Sequence, residues 1–357
     1  MIPEKTLDDT IPVRVDERFE VEKVADFCRG RIPGSDNPLN VRQFGGGKAN
    51  LTYLLDYGSH QYVLRRPPLG PVAASAHDMG REFKVLSRLY EQFPLAPRAF
   101  LFCEDPTLIG APFFVMERRE GVVVRGRIPD LYTVYPDAAR RMSAGLVDAL
   151  AQFHAVDYQT VGLGDLGEPT GFIARQIEGW YKRWHKAKNE EVPAMDAVYE
   201  WLKANQPTTT HFSLVHNDYK LDNVMLDWDD PGKLVAIFDW DMCTLGDPLA
   251  DLGSLLCYWT EPDDPPMWQA MSMMPTGNLG FMRREELVER YVEQCGRDVT
   301  HVSFYHALGL YRLTVIIAQI YIRYVRGQTQ DHRFAAMGQT IPLMAQAALD
   351  VATKGRV

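Results

Sequence analysis

The stretch Phe212 to Gly253, FSLVHNDYKLDNVMLDWDDPGKLVAIFDWDMCTLGDPLADLG, decides how the rest of the chain is read. Two apolar runs, Val224 to Trp228 and Leu234 to Phe238, flank Asp229 to Lys233, a cluster with the chemistry of a tight turn. The spacing predicts an antiparallel hairpin. Centred on Pro231, it sets Asn223 and Asp239 opposite each other at the open end, with Cα atoms roughly 4.5 to 5.5 Å apart. An amide oxygen and a carboxylate so placed predict a bridged divalent cation.

Upstream, His216-Asn217-Asp218 closes the apolar run Phe212 to Val215 and sets a second acid before Asn223. The pattern His-x-Asp-x-x-x-x-Asn, followed by an apolar strand ending in Asp, is the grammar of a kinase catalytic loop and metal site. In that reading Asp218 orients an acceptor hydroxyl and takes its proton, while Asn223 and Asp239 hold magnesium. Aspartate and asparagine also collect at strand ends because they cap backbone groups. The coincidence of loop, hairpin and terminal aspartate favours the chemical reading.

The chain of 357 residues is long enough for two lobes, each with its own core. Its hydrophobic content of 46% with 24% charged residues belongs to a globular protein and excludes a disordered or fibrous one. A net charge of -9 argues against nucleic acid as the main partner, because phosphate binding needs a basic footprint. Five cysteines, an odd number without a CxxC pair, predict a reduced, cytoplasmic protein. The acidic N-terminus has no apolar core of the kind a secretory signal needs. Phe304 to Val325 is apolar but carries His306, Arg312, Gln319 and Arg323, which predicts a buried core helix and no membrane partner.

In chain order, residues 17 to 30 predict a short amphipathic helix. Gly45-Gly46-Gly47 then separate two apolar strands. Glycines let a backbone approach a ligand, so the three are candidates to lie over phosphates, although a plain hairpin turn reads the same way. Gln61 to Arg66 predicts the next strand, and its register puts Arg65 where a kinase carries its phosphate-binding lysine. Residues 80 to 90 predict a helix with apolar positions 83, 86, 89 and 90, and Glu82 stands ready to pair with Arg65. Ala111 to Gly121 is an apolar strand running into a charged link near Glu117, the candidate hinge for a nucleotide base.

Beyond it, Ala138 to His154 predicts a helix whose last residue, His154, serves as a C-terminal cation. Residues 171 to 206 are helical and carry a tryptophan-rich basic cluster from Arg175 to Lys188. Such a cluster reads either as a solvated face over an aromatic stripe or as an anionic acceptor site. Asp247-Pro248 predicts a cap opening the helix Leu249 to Trp259. Asp251, one turn in, either serves the helix dipole or reaches the backbone of the loop at Asp218. Residues 260 to 280 predict a mobile segment.

The pieces VHNDYKLDN, IFDWD, GDPLADL, GGGKANLTY and YVLRRPP together resemble the aminoglycoside phosphotransferase and choline kinase-like superfamily, over roughly residues 40 to 325. Residues 171 to 196 and 65 to 86 are similar to the kinase-like domains found alone in bacteria or fused to acyl-CoA dehydrogenases. The resemblance implies an α+β, protein-kinase-like bilobal fold: a small β-sheet lobe, 1–118, and a larger, mainly helical lobe, 119–357. It implies transfer of the γ-phosphate of Mg-ATP to a small-molecule hydroxyl. By motif, Asp218 is the catalytic base and Lys220 the basic residue aimed at the γ-phosphate. Asn223 and Asp239 are magnesium ligands, and Gly45, Gly46, Gly47, Arg65, Glu82 and Glu117 serve the nucleotide. For the fused relatives the implied acceptor is a hydroxyacyl-CoA.

Two rival classes bear on the same residues. A non-catalytic nucleotide-binding module fits Arg65 in place of lysine but has no need of Asp218, Asn223 and Asp239 together. A haloacid-dehalogenase-type phosphatase would use Asp239 and Asp241. That family's threonine falls four residues after the first aspartate, whereas Thr244 falls one residue later.

Overall fold

Apolar strands with short turns build the first part of the chain. In a computed structural model, which describes residues 9–45, 50–68, 78–209, 211–272, 274–329 and 331–355, six of them form one sheet. The strands β1 (Thr10–Ile11), β2 (Asn40–Phe44), β3 (Leu51–Asp56), β4 (Gln61–Arg66), β5 (Ala99–Cys103) and β6 (Phe113–Glu117) are antiparallel, in the order β1-β2-β3-β4-β6-β5. Helix α1 (Val21–Cys28) covers one face, where Val24 and Cys28 share a core with Tyr53, Leu64 and Phe113. It is shorter than its sequence pattern suggests. Helix α2 (Met79–Leu89) packs against β5 and β6. Its buried stripe is Met79, Glu82, Val85, Leu86 and Leu89, so Glu82 lies inside the apolar face and not beside it.

The remainder is mainly helical: α3 (Ala138–His154), α4 (Phe172–Ala187), α5 (Pro193–Ala204), α6 (Leu249–Tyr258), α7 (Pro266–Met271), α8 (Arg284–Cys295), α9 (Val302–Val325) and α10 (Met337–Lys354). Helix α9 is the one helix among the described residues long and apolar enough to cross a membrane. Here it packs between α6 and α10 as a core helix. The described residues of 260–280 hold α7 and a buried turn in which Thr276 Oγ1 accepts from the Thr260 N–H at 3.0 Å. The segment expected to be mobile thus carries a short helix and a turn, because proline and methionine that show no period can still pack irregularly.

Two short ribbons pack against α3 and α4. Strand β7 (Ser213–Val215) pairs with β10 (Thr244–Gly246), and β8 (Val224–Leu226) pairs with β9 (Leu234–Ile237), both antiparallel. The predicted hairpin exists, with a one-residue correction. Val224 faces Ile237 and the register shifts between Met225 and Leu226. Asn223 therefore meets Phe238, whose N–H donates to the Asn223 carbonyl at 2.9 Å, and Asp239 lies one residue further on. The irregularity absorbs a residue, as a bulge does, and re-aims the strand end.

The link after β6 is stitched to this hairpin by two 2.8 Å bonds between Val122 and Leu226. A Cβ on Gly121 would stand 2.4 Å from the Leu226 carbonyl oxygen, so the approach needs glycine. Helices α6 and α9 meet in the same way. A Cβ on Gly253 would come 2.3 Å from the Tyr305 backbone, and one on Gly309 would come 2.7 Å from the Gly253 oxygen.

Gly253→Ala is expected to force these helices apart and destabilise the chain by about 1–3 kcal/mol, the usual cost of overpacking. A lower denaturant midpoint with an unchanged m-value is the predicted result. An unchanged midpoint would contradict the close helix crossing.

Candidate active site

Two residues carry the sharpest turns. Among the described residues, the only non-glycine positions with positive φ are Asn217 (65°) and Asp239 (68°). Asparagine and aspartate tolerate the left-handed region best after glycine, and strain of this kind gathers at functional sites. Asn217 precedes Asp218 at the end of β7, and Asp239 follows β9.

The loop after β7 is anchored by Asp251 of α6. Its carboxylate accepts the His216 N–H at 2.6 Å and the Asn217 N–H at 2.7 Å, and it meets His154 Nε2 at 3.2 Å. Of the two roles open to Asp251, the structure has the second. Burial opposes its charge, yet His154 and the main-chain donors hold the carboxyl below its usual range. His154 is not an exposed helix-end cation. It is fully buried, its Nδ1 lies 2.8 Å from the Tyr291 hydroxyl, and burial holds its pKa down. His216 faces the neighbouring strand end, with Nε2 2.9 Å from the Phe238 carbonyl oxygen.

On this support Asp218, Lys220 and Asn223 converge. Lys220 Nζ lies 2.6 Å from Asp218 Oδ2, and Asn223 Nδ2 donates to the same oxygen at 3.0 Å and to the Asp218 carbonyl at 2.9 Å. Burial works against the Lys220 ammonium, but Asp218 and Asp222 hold its pKa above the ordinary value. Its Nζ also sits 4.9 Å over the Tyr258 ring.

From the sheet side, Arg65 of β4 reaches across to bond Asp239 Oδ1. Its Nε lies 2.9 Å from Glu82 Oε2, too poorly aligned for a hydrogen bond, so that attraction is coulombic. The Trp240 N–H approaches Glu82 Oε1 at 3.4 Å. Burial works against Asp239 as well, and Arg65 more than offsets it, holding this carboxyl below its usual range. Burial pushes Glu82 up to about 7, with Arg65 opposing and Asp239 and Asp241 adding repulsion. Burial and Asp239 likewise push Asp241 up to about 6.

Glu117 and Gly45 make contacts apart from this cluster. Glu117 turns to the sheet: its carboxylate accepts from the Arg98 N–H at 3.2 Å and pairs with Arg119 at 3.0 Å, while its own N–H bonds the Arg98 carbonyl. The Gly45 carbonyl accepts from Arg14 at 3.3 Å. Gly46 and Gly47 lie outside the described residues.

The oxygen donors Asn223 and Asp239 are the hard ligands that magnesium takes, one or two per protein, with phosphate and water completing the shell. No group of three or more His, Cys, Asp or Glu among the described residues could hold a metal without such help. Asp251 and His154 were the residues whose roles the sequence left open or misassigned, since only the fold brings α3 and α6 to the loop.

With this geometry in place, likeness to known proteins becomes informative. The model of the phosphotransferase enzyme family matches residues 40–279. Acyl-CoA dehydrogenase family member 11 of Rattus norvegicus is 32% identical over 355 residues. That match covers 97% of this chain but 45% of the relative, so the chain spans less than half the length of that protein. A Ralstonia eutropha protein assigned provisionally to the aminoglycoside phosphotransferases superposes with a TM-score of 0.79 at 30% identity, covering 94% of this chain and 99% of its own. A thermostable mutant aminoglycoside phosphotransferase, crystallised with AMP-PNP and hygromycin B, superposes with a TM-score of 0.56 at 16% identity, covering 88% and 95%. The fold is thus the expected kinase-like one.

The folded chain keeps a proton on Glu82 up to about pH 7, whereas an unfolded glutamate loses it near 4.5. The folded state binds more protons in that window. The stability tied to this proton is therefore full below pH 4.5 and lost as pH rises to about 7, by at most about 1.4 kcal/mol per pH unit. Glu82→Gln has no such proton to lose. The wild-type-minus-variant unfolding free energy is expected to fall as pH rises through that window, then to flatten; a pH-independent difference would mean that Glu82 is already ionised throughout.

Proposed function

This chain belongs to the phosphotransferase enzyme family, and on that premise we propose that it moves the γ-phosphoryl group of Mg-ATP to a hydroxyl of a small molecule. The observation that carries the reading is the meeting of two sets of side chains. Asp218, Lys220 and Asn223 form one cluster on the loop, and Arg65 ties Glu82 of the sheet side to Asp239 beside it. The pair Asp218–Asn223 and the pair Arg65–Glu82 are the parts a kinase needs for its base, its metal and its phosphates.

In this mechanism Asp218 accepts the proton of the acceptor hydroxyl as that oxygen forms a bond to the γ-phosphorus. The bond from phosphorus to the β,γ-bridging oxygen breaks, and ADP leaves with that electron pair. Asn223 holds the base in place through its amide N–H and, with Asp239, would hold magnesium, which neutralises phosphate charge when bound. Arg65 and Lys220 supply fixed positive charge for the phosphates. Arg65 must release Asp239 to do so, and Glu82 keeps it oriented meanwhile. The nucleotide would lie between a sheet lobe, 1–118, and a helical lobe, 119–357, with its base against the link beyond Glu117. Use of ATP is supported by the AMP-PNP held by the related phosphotransferase. A hydroxyacyl-CoA acceptor is supported by kinship with the acyl-CoA dehydrogenase family members.

Labelled phosphate should pass from Mg-ATP to an alcohol in the wild type, and Asp218→Ala should lower turnover by roughly 100- to 10,000-fold, the usual worth of general-base assistance. Unchanged turnover in a folded variant would remove Asp218 from its role. A protein that binds nucleotide but neither transfers nor hydrolyses it would be a binding module.

Asp239→Ala should abolish the magnesium-dependent part of nucleotide affinity while leaving metal-free binding largely intact. Titrations with and without magnesium check this, and equal magnesium dependence in both proteins would contradict the ligand role.

A further inference from the structure

Arg312 of α9 is a cation that the mechanism leaves unused. Its Nε is buried without a hydrogen-bond partner, and its Nη2 meets the Met242 sulfur at 3.8 Å. Among the described residues no carboxylate forms an ion pair with it. Guanidinium is a planar donor fork that suits carboxylate or phosphate, and burying part of it against sulfur and rings leaves that capacity unspent.

Two lines of contact set Arg312 beside the base. Asn217, which adjoins Asp218, donates Nδ2 to the Met242 carbonyl at 2.9 Å, and the Met242 sulfur touches Arg312. On the other side, the Tyr258 ring lies under Lys220 and feels the charges of both Asp218 and Arg312. The largely buried Trp180 lies next to it, with the Arg312 guanidinium 5.5 Å from the ring centroid and the exposed Arg183 at 4.4 Å from the same centroid. Arg183 also has no carboxylate partner among the described residues. Two guanidinium groups against one indole gather positive charge there, and an anion nearby is attracted to it. Part of the basic cluster seen in the sequence thereby points to a ligand.

We propose that Arg312, with Arg183 beside it, forms a subsite for an anionic group, carboxylate or phosphate, on the alcohol whose hydroxyl meets Asp218. This rests on the phosphotransferase reading above. It makes the acceptor an anionic alcohol whose apolar part lies against the exposed Met242, and it disfavours cationic acceptors.

Calorimetric titration of the Mg-ADP-loaded chain with three probes tests the subsite: a hydroxyacyl-CoA, the free hydroxy acid and the neutral ester of that acid. One of the two anions is expected to bind roughly ten-fold or more tightly than the ester, the value of one charge-assisted contact. The favoured anion identifies phosphate or carboxylate as the group recognised. Arg312→Met should abolish the preference and Arg312→Lys should restore part of it. Equal or undetectable binding of all three probes, or a preference that survives Arg312→Met, overturns the subsite. Asp218→Asn should stop transfer yet keep the preference, so failure of the catalytic reading and failure of the subsite are seen separately.

Discussion

The Asp251 carboxylate is the contact on which the rest of the site depends. It accepts two consecutive main-chain N–H groups of the loop, from His216 and Asn217, and one bond from His154. Moving a carboxylate into a protein interior costs several kcal/mol, which only a full set of donors offsets. Here two of those donors come from a loop that turns left-handed at Asn217, and the third comes from His154. Each side stabilises the other. The anchor is itself fixed: His154 is held by Tyr291 of α8, and α6 is seated on α9 by the glycine crossing. Four helices thus set the position of the residue next to Asp218.

Charge balance explains why this rigid frame has to hold cations. Asp239 and Asp241 push Glu82 up, Asp239 and Asp218 push Asp241 up, and Asp218 pushes Asp222 up, while Arg65 and Lys220, joined by Arg125 at Asp222 and His216 at Asp239, oppose them. At an effective dielectric of about 20, two unit charges 4 Å apart exchange roughly 4 kcal/mol. One uncompensated carboxylate is therefore a large term against a net stability of about 5–15 kcal/mol. The protein meets it in part by raising Glu82 and Asp241 toward neutrality, and in part by placing Arg65 on Asp239. A divalent cation at Asn223 and Asp239 would do the same work and free Arg65 for phosphate. Arginine in place of lysine suits this double duty, because its fork reaches Glu82 and Asp239 together.

Local chemistry was legible in the sequence, and contacts between distant segments were not. The turn residues at 229 to 233 announced the hairpin, and helix α3 runs from Ala138 to His154 as its apolar spacing requires. The facing of Asn223 and Asp239 was misread by one residue, because a bulge leaves no mark in an apolar run. Glu82 read as the polar neighbour of a stripe and proved to lie within it, since a buried carboxyl facing Arg65 puts an acidic letter where an apolar one is expected. His154 read as a helix-end cation because its partner, Asp251, stands 97 residues away. Arg312 read only as an interruption of an apolar helix. Its meaning depends on Met242, Trp180 and Tyr258 arriving from three other elements.

The same limit bears on charge. A net charge of -9 was read as evidence against nucleic acid, and it remains a statement about the whole surface. Binding of a small anion is decided within a Debye length, about 8–10 Å, and by groups screened from water. Within that range of Trp180 the chain sets Arg183 and Arg312. The acids meanwhile gather around Asp218, Asp239 and Glu82, where the proposed metal and proton transfer would call for them. An acidic protein can in this way keep a basic subsite beside an acidic centre. In the proposed reaction, that division of charge would let one end of an acceptor be held by arginine while its hydroxyl is presented to a carboxylate.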